Sequence, residues 1–264
     1  MTERGRRTVG VIGGSGITRL FDQGVIREHR VATPWGAASG PIVEGRVGEL
    51  TILFLPRHGI GHTIPPHRVN YRANVDALRS LGAEAIVTVS SVGSLREELA
   101  PGTFVLPDQF VDFTKQRPTT FFEGGRVFHV SMADPFCPDL SERAAAAGAS
   151  AGTPFERKRT YVCVEGPRFS TRAESRFFRT TADIIGMTLV PEVTLARERG
   201  LCYVCLAMVT DYDVWAEKAV QAKDIVETME RNAERMSKVL GELWPRLVDP
   251  ATCDCAHSLE DAGL

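Results

Sequence analysis

Short apolar runs along the chain alternate with segments in which apolar residues recur every three or four positions. The apolar runs end in glycine or polar turns and predict five buried β-strands, near residues 9–14, 50–56, 85–90, 161–164 and 201–209. Helical spacing and composition predict five α-helices, near residues 71–81, 139–150, 173–181, 191–199 and 221–247. Because strands and helices alternate, we predict an α/β fold with a mixed, twisted central sheet and helices on both faces.

The last predicted helix carries a single apolar stripe. Its members are Ile225, Met229, Ala233, Met236, Leu240 and Leu243. Their spacing of three or four residues places them on one face of a helix. We interpret this stripe as core packing and not as a set of contacts to a cofactor.

Composition describes a globular protein of ordinary charge. The chain has 264 residues, of which 43% are hydrophobic and 24% are charged. No repeat or linker divides it, so we predict a single domain over residues 1–264, with a basic, solvated tail at 1–8 and a C-terminal tail or lid over about 248–264. The net charge of -2 argues against a nucleic-acid or membrane partner, and no apolar stretch is long enough to span a bilayer. We expect a cytoplasmic location.

Six cysteines are spread along the chain and do not form a disulfide scaffold. Cys163, Cys202 and Cys205 lie in apolar runs, so we expect buried thiols. Cys253 and Cys255 lie in the tail close to His257, but this spacing matches no recognised zinc pattern. A reduced surface pair is the default interpretation, and we assign no metal ligands. A metal held together with His257 stays open, as does a disulfide, which in a cytoplasmic chain would indicate a thermophilic source.

Glycine and hydroxyl residues follow the ends of the predicted strands. The first such segment is Gly13-Gly14-Ser15-Gly16, whose amides and hydroxyl suit an anion, although a simple tight turn would use the same residues. It is not the dinucleotide fingerprint, because Arg19 stands where that pattern has its third glycine.

Other strand ends add cationic and hydroxyl groups. Arg57 and His58 form a natural anion site, and Ser90, Ser91 and Thr188 offer hydroxyls at further strand ends. The four-residue spacing of His58 and His62 would suit a metal on a helix, but the glycines and prolines around them forbid that helix. These residues together predict a phosphate site without a metal. Glu192, in the first turn of a predicted helix, is interpreted as a helix-start residue.

Asp211 and Asp213 close the last apolar run. On a strand they would lie on the same face of the pleat, and two buried carboxyls side by side favour partial protonation. An ionised carboxylate accepts from the 6-amino group of adenine, and a protonated carboxyl donates to its N7. Helix capping or a surface cation site is the alternative interpretation of this pair.

Seven segments of the chain, within about residues 9–247, closely resemble the 5′-methylthioadenosine phosphorylases of the trimeric purine nucleoside phosphorylase class. They are Gly13-Gly14-Ser15-Gly16, Pro56-Arg57-His58-Gly59, Val69-Asn70-Tyr71-Arg72-Ala73-Asn74, Glu165-Gly166-Pro167-Arg168-Phe169-Ser170-Thr171-Arg172-Ala173-Glu174, Met187-Thr188, Pro191-Glu192 and Thr210-Asp211-Tyr212-Asp213. The resemblance implies a nucleoside phosphorylase-like fold and a transferase of purine and methionine salvage. In that reaction inorganic phosphate, as co-substrate, displaces adenine from 5′-methylthioadenosine and gives 5-methylthioribose 1-phosphate. It also implies a homotrimer or dimer of trimers that needs no metal or organic cofactor.

The resemblance further implies roles for individual residues. Phosphate would contact Ser15, Arg57, His58, Ser90, Ser91 and Thr188. The nucleoside would contact Met187 below the ribose, Phe169 and Ser170 at the purine, Asp211 at N7, Asp213 at the amino side, Ala222 at the 5′ group, and His129 from a neighbouring subunit.

Two alternatives to this activity remain at this stage. The small Ala222 would widen the 5′ pocket, which leaves open a phosphorylase for other nucleosides, such as 5′-deoxyadenosine, methylthioinosine, inosine or guanosine. A catalytically idle nucleoside-binding protein would have lost phosphate ligands, whereas Ser15, Arg57, His58 and Thr188 are all present.

Overall fold

The computed structural model describes residues 7–14, 25–216, 222–260 and 262–263, with only the backbone described for residues 222–227. The strands are β1 (Thr8–Gly13), β2 (Val25–His29), β3 (Ala32–Thr33), β4 (Gly36–Ala37), β5 (Ile42–Val47), β6 (Leu50–Pro56), β7 (Ala85–Ser94), β8 (Phe104–Phe113), β9 (Phe155–Val164), β10 (Ile184–Gly186) and β11 (Cys202–Tyr212). The helices are α1 (Tyr71–Ser80), α2 (Pro138–Ser150), α3 (Arg172–Phe178), α4 (Glu192–Glu198) and α5 (Ala222–Leu243). Short 3-10 turns follow at Pro66–Arg68, Trp244–Leu247 and Cys255–His257.

Nine strands form one mixed sheet in the order β10-β9-β8-β11-β7-β1-β6-β5-β2. The central strands β6, β1, β7 and β11 are mutually parallel, so their carboxyl ends meet at one edge. Antiparallel pairs join β11 to β8 and β5 to both β6 and β2. β10 also pairs with β7, which closes β7, β11, β8, β9 and β10 into a small barrel. The predicted mixed sheet is confirmed, and its partial closure into a barrel was not predicted from the sequence.

Helices cover both faces of the sheet, as predicted. On one face, α1 and α4 bury residues such as Val75, Leu78 and Val193 against the strands. On the other face, α2 and α5 bury Leu140 and Leu240 in a second apolar cluster. Each such aliphatic side chain contributes about 1.5–3 kcal/mol when it is removed from water, so the two layers hold the sheet rigidly between them.

The elements missed by the pattern have local physical reasons. β8 contains Pro107, which normally breaks a strand, and the structure accommodates it with register shifts around that residue. β9 begins at Phe155, six residues earlier than predicted, because its first half carries charged side chains on a partly solvated surface. β2 is exposed along most of its length and therefore has no apolar run to mark it.

Both chain ends pack more closely than predicted. Arg7, placed by the sequence in a solvated tail, is buried, and its guanidinium donates to the carbonyls of Leu247 and Asp249. The end of the chain then runs along the loop over residues 126–129. There Gly263 forms a bridge with Phe128, and Ala262 accepts a hydrogen bond from the His129 amide at 2.7 Å. No helix in the described part of the chain is long and apolar enough to cross a membrane.

Candidate active site

A cavity of about 1150 Å³ opens at the edge of the sheet where the parallel strands end. In doubly wound sheets, ligands bind beyond the carboxyl ends of such strands. Ten residues that the sequence selected line this cavity: Arg57, His58, Ser90, Ser91, Phe169, Ser170, Met187, Thr188, Asp211 and Asp213. The fold therefore brings the anion-binding candidates and the carboxyl pair into one space.

Hydroxyls and a cation converge at one end of the cavity. Gly14 follows β1, Arg57 follows β6 and Thr188 follows β10, so each reaches the same point from a different strand. The hydroxyl of Ser90, on β7, lies 3.2 Å from that of Thr188. Together these groups offer charge-assisted and hydroxyl donors to a small oxyanion.

A buried carboxylate that we had not assigned to the site holds Arg57 in place. Arg57 is 2% exposed, and its Nε and Nη2 donate to the two carboxylate oxygens of Glu192 at 2.9 and 3.0 Å. Tyr203 donates its hydroxyl to the same carboxylate at 2.9 Å. Burial opposes the charge on Arg57, but Glu192 more than offsets this, so the pKa of Arg57 is raised.

Glu192 is thus more than a helix-start residue, which corrects our interpretation. Further hydrogen bonds run from the Arg57 Nη2 to Thr88 and from its Nη1 to the Val89 carbonyl. Since each Nη carries two hydrogens, one Nη1 hydrogen of this cavity-lining residue has no partner among the described residues. The sequence signal was available in principle, because Glu192 shares α4 with the buried apolar residues Val193, Leu195 and Ala196.

His58 is a neutral hydrogen-bonding group in this site. Its Nδ1 donates to the Ile64 carbonyl at 2.8 Å, which leaves Nε2 with a lone pair. Burial, followed by the positive charge of Arg57, lowers the pKa of His58 to about 4. At neutral pH the ring can therefore accept a hydrogen bond from a protonated phosphate oxygen. Within the described residues, no cluster of three metal-ligating side chains includes His58.

The two carboxyls line the same cavity. A register shift between Val209 and Asp211 interrupts the pairing of β11 with β7, which resumes at Asp211 and continues to Tyr212, and Asp213 follows just after the strand. Burial raises the pKa of Asp211 to about 6, although a hydrogen bond of 2.7 Å from the Thr210 hydroxyl favours its ionised form. Burial also raises the pKa of Asp213, which is 4% exposed.

Asp213 and Ser170 both line the cavity. The Asp213 Oδ2 atom and the Ser170 hydroxyl are buried, and the neighbouring Ser175 hydroxyl favours the ionised form of Asp213. Buried polar groups of this kind are costly unless a protein group or a ligand satisfies them. Gly93 lets the backbone of β7 approach closely, since a Cβ there would lie 3.2 Å from Asp211 Oδ2. The arrangement suits a flat heterocycle with both donors and acceptors on its edge.

Apolar side chains form the remaining walls. Met187 lies in the cavity wall beside Gly166, where a Cβ would come within 2.6 Å of its sulfur, and Phe169 is 49% exposed at the mouth. The stripe on α5 needs correction. Leu240 and Leu243 are core residues. Met229, which is 37% exposed, Ala233 and the buried Met236 line the cavity. The side chain of Ile225 lies outside the described part of the chain.

Three of the selected residues are not brought into the described cavity. Ser15 lies outside the described residues, and Ala222 opens α5 in the stretch where only the backbone is described. His129 is exposed on the loop that contacts the end of the chain and does not line the cavity of its own protomer.

Gly186 ends β10 at the floor of the cavity. A Cβ at this position would lie only 1.9 Å from the hydroxyl oxygen of Tyr161, which is fully buried. The Tyr161 hydroxyl therefore fills the volume that any side chain at position 186 would need. Burial raises the pKa of this phenol well above its ordinary value, so it stays protonated.

Comparison with known proteins gives a consistent result. Residues 8–244 match the model of the phosphorylase superfamily. The S-methyl-5′-thioadenosine phosphorylase of Pyrococcus abyssi is 51% identical over 253 residues, covering 96% of this chain and 97% of that protein. The enzyme of the same name from Hyperthermus butylicus is 52% identical over 264 residues, covering 97% and 95%.

Solved structures agree with the sequence relatives. A methylthioadenosine phosphorylase sourced from an Antarctic soil metagenomic library superposes with a TM-score of 0.90 at 42% identity, covering 99% of this chain and 93% of that one. The methylthioadenosine phosphorylase of Schistosoma mansoni, solved in complex with adenine, gives a TM-score of 0.90 at 37% identity, with 96% of each chain covered.

Proposed function

Since the chain belongs to the phosphorylase superfamily and, within it, to the S-methyl-5′-thioadenosine phosphorylases, we propose that it cleaves S-methyl-5′-thioadenosine with inorganic phosphate. The products are adenine and 5-methylthioribose 1-phosphate. The observation that carries the proposal is the single cavity that joins an anion-binding end, built around Arg57, to a carboxyl pair of raised pKa, Asp211 and Asp213.

The anion-binding end prepares the nucleophile. Arg57, held by Glu192, directs its remaining N–H towards phosphate, and the Ser90 and Thr188 hydroxyls add further donors. Neutral His58 accepts a hydrogen bond from the protonated phosphate oxygen. Phosphate held below the ribose stabilises the positive charge that grows on the sugar as the C1′–N9 bond breaks, and a phosphate oxygen then forms the new bond to C1′.

The carboxyl pair serves the leaving group. As C1′–N9 breaks, its electron pair moves into the purine, and Asp211 donates its proton to N7. A pKa of about 6 keeps part of Asp211 protonated near neutral pH, as a general acid needs. We assign Asp213 and Ser170, which line the cavity, to the amino side of the base. There an adenine 6-amino group satisfies an ionised carboxylate, and a 6-oxo group does not.

We propose that the complete site requires a second copy of this chain. His129, which resemblance assigns to a neighbour's 5′ pocket, is exposed and outside its own cavity. The exposed aromatic side chains of Phe113 and Phe177, whose ring centroids lie 5.8 Å apart, support a subunit contact. A homotrimer, in which each subunit completes the next, accommodates both features.

The remaining proposals concern cofactors and location. Each step above uses groups of the chain itself and the co-substrate phosphate, so we propose that no metal or organic cofactor takes part in catalysis. We propose a cytoplasmic location, since the six dispersed cysteines do not form the disulfide scaffold of a small secreted domain.

The test is release of purine base, with and without phosphate, from methylthioadenosine, adenosine, 5′-deoxyadenosine, methylthioinosine and inosine. We expect strictly phosphate-dependent cleavage, with the highest kcat/KM for methylthioadenosine. Release without phosphate would identify a hydrolase. A preference for methylthioinosine or inosine would refute the assignment of the carboxyl pair to a 6-aminopurine.

A further inference from the structure

Four cysteine side chains from three distant parts of the chain meet near the start of β11, whose other end reaches the cavity. They are Cys137, Cys202, Cys253 and Cys255, and their sulfur atoms all lie within 4.8 Å of one another. We propose that these four cysteines form a structural metal site that takes a divalent cation of the zinc class. The proposal is independent of the active site and does not rest on the proposed function.

The distances between the sulfurs suit a tetrahedral ion. A zinc ion bound by four thiolates at about 2.3 Å has sulfurs about 3.8 Å apart. Here the Sγ of Cys253 lies 3.5 Å from that of Cys137 and 3.4 Å from that of Cys202. All four sulfurs lie within 4.8 Å of one another, and four ligands leave no open coordination position, as in structural zinc sites.

The fold builds this cluster from rigid elements. Cys137 is the N-cap residue of α2, and its backbone amide donates to the Tyr203 carbonyl of β11 at 2.9 Å. Cys202 opens β11, and Cys255 opens the last 3-10 turn. Cys255 is buried and Cys253 is partly buried, so the expected surface pair is wrong. Sequence spacing gave no zinc pattern because two of the four ligands come from outside the tail.

Neighbouring donors favour sulfur in its anionic form. The Leu140 amide donates to the Cys137 sulfur at 3.4 Å, and Arg197 Nη1 lies 3.6 Å from the Cys255 sulfur. A divalent ion with four thiolates carries a net charge of about two negative units, which Arg197 partly offsets.

The position of the cluster argues for a structural role. Cys202 and Asp211 stand at opposite ends of β11, nine residues apart, which corresponds to about 30 Å of strand. An ion here cannot touch substrate, but it would fasten the C-terminal tail to β11 and α2. Because such a site forms only in the folded chain, metal binding adds directly to stability.

The test measures metal content by elemental analysis in full-length protein reconstituted with zinc under reducing conditions. We expect one zinc per chain in the wild type and less than a tenth of that in a Cys253→Ser/Cys255→Ser variant. Cys163→Ala, which changes a buried cysteine outside the cluster, is the matched control and should retain the metal. Removing zinc from the wild type should lower Tm by about 5–10 °C.

Two measurements keep the test decisive if the double variant folds poorly. Cobalt(II) added to the wild type should give the intense visible absorption of a tetrahedral thiolate complex. A mercurial should release the zinc only as the cluster thiols react. The proposal is overturned if reduced, zinc-treated protein holds no stoichiometric metal, if the double variant keeps it, or if mass spectrometry finds these cysteines joined as disulfides in metal-free protein as isolated.

Discussion

Replacing Asp211 by Asn separates what this carboxyl contributes to catalysis from what it costs the fold. In the folded protein burial raises its pKa to about 6, against an ordinary value of 3.8. Asn keeps the shape and still offers an oxygen that can accept the 2.7 Å hydrogen bond from Thr210. It carries no charge and has no acidic proton. The variant should therefore be more stable than the wild type at neutral pH, and far less active.

The difference between the two pKa values gives the magnitude. It corresponds to about 3 kcal/mol of unfolding free energy, and partial solvation of the cavity reduces this to about 1–3 kcal/mol. Because the folded-state pKa is raised, the wild type loses stability as pH rises from about 4 to about 6, and the whole penalty is present above that range. The advantage of Asp211→Asn should thus be absent near pH 4 and full at pH 8.

The assay is thermal or denaturant unfolding of both proteins at a series of pH values. At pH 8 we expect Tm of the variant to be about 3–8 °C higher. Asp134→Asn, which removes an exposed carboxylate, is the control and should show no such pH-dependent gain. An equal Tm of Asp211→Asn and wild type at pH 8 would show that burial does not penalise this carboxyl.

Turnover supplies the second half of the test. Loss of a general acid typically costs about 10²- to 10⁴-fold. We expect kcat on methylthioadenosine to fall within this range for Asp211→Asn, because the amide has no acidic proton to give to N7. A kcat close to that of the wild type would show that Asp211 does not protonate N7.

Three further predictions follow from the same site. Arg57→Ala should raise KM for phosphate by about 10- to 100-fold. Glu192→Gln should raise it less, because Arg57 then keeps its charge and loses only the carboxylate that holds it in place. Steady-state kinetics with phosphate varied would measure both values, and an unchanged KM for phosphate would refute these roles. Gly186→Ala should lower the unfolding free energy by at least about 1–3 kcal/mol, since its Cβ would meet the Tyr161 hydroxyl at 1.9 Å; denaturant midpoints equal to wild type would refute this clash. His129→Ala should weaken methylthioadenosine binding. In mixed trimers with Arg57→Ala subunits, some sites would combine an intact Arg57 with an intact His129 from the neighbour, so activity should rise above that of either variant alone. No such rise in activity would argue against a site shared between subunits.

The parts of the site predicted from sequence are those set by strand ends. Arg57, Ser90 and Asp211 lie at the ends of uninterrupted apolar runs, and parallel strands bring such ends to one edge of the sheet. That geometry needs no knowledge of packing, so the pattern alone was sufficient.

The parts that the sequence could not provide depend on contacts between distant segments. Glu192 had an adequate local role at a helix start, and its pairing with Arg57, 135 residues away, appears only in the folded chain. Met229 was predicted to be a core residue because helical spacing shows on which face of the helix a residue lies. It does not show that this part of the face borders the cavity. The cysteine cluster was hidden for the same reason, since its ligands span residues 137–255.

The hydrogen bond from the His129 amide to the Ala262 carbonyl has a consequence for variants that are altered near residue 262. It ties the loop that we assign to a neighbour's pocket to the last residues of its own chain. In the proposed trimer, a subunit with a truncated or tagged C-terminus would retain its own catalytic groups and impair the next subunit instead. One shortened copy among three would then leave two sites intact. The impaired site would be the one in the neighbouring subunit, although that subunit itself is unaltered.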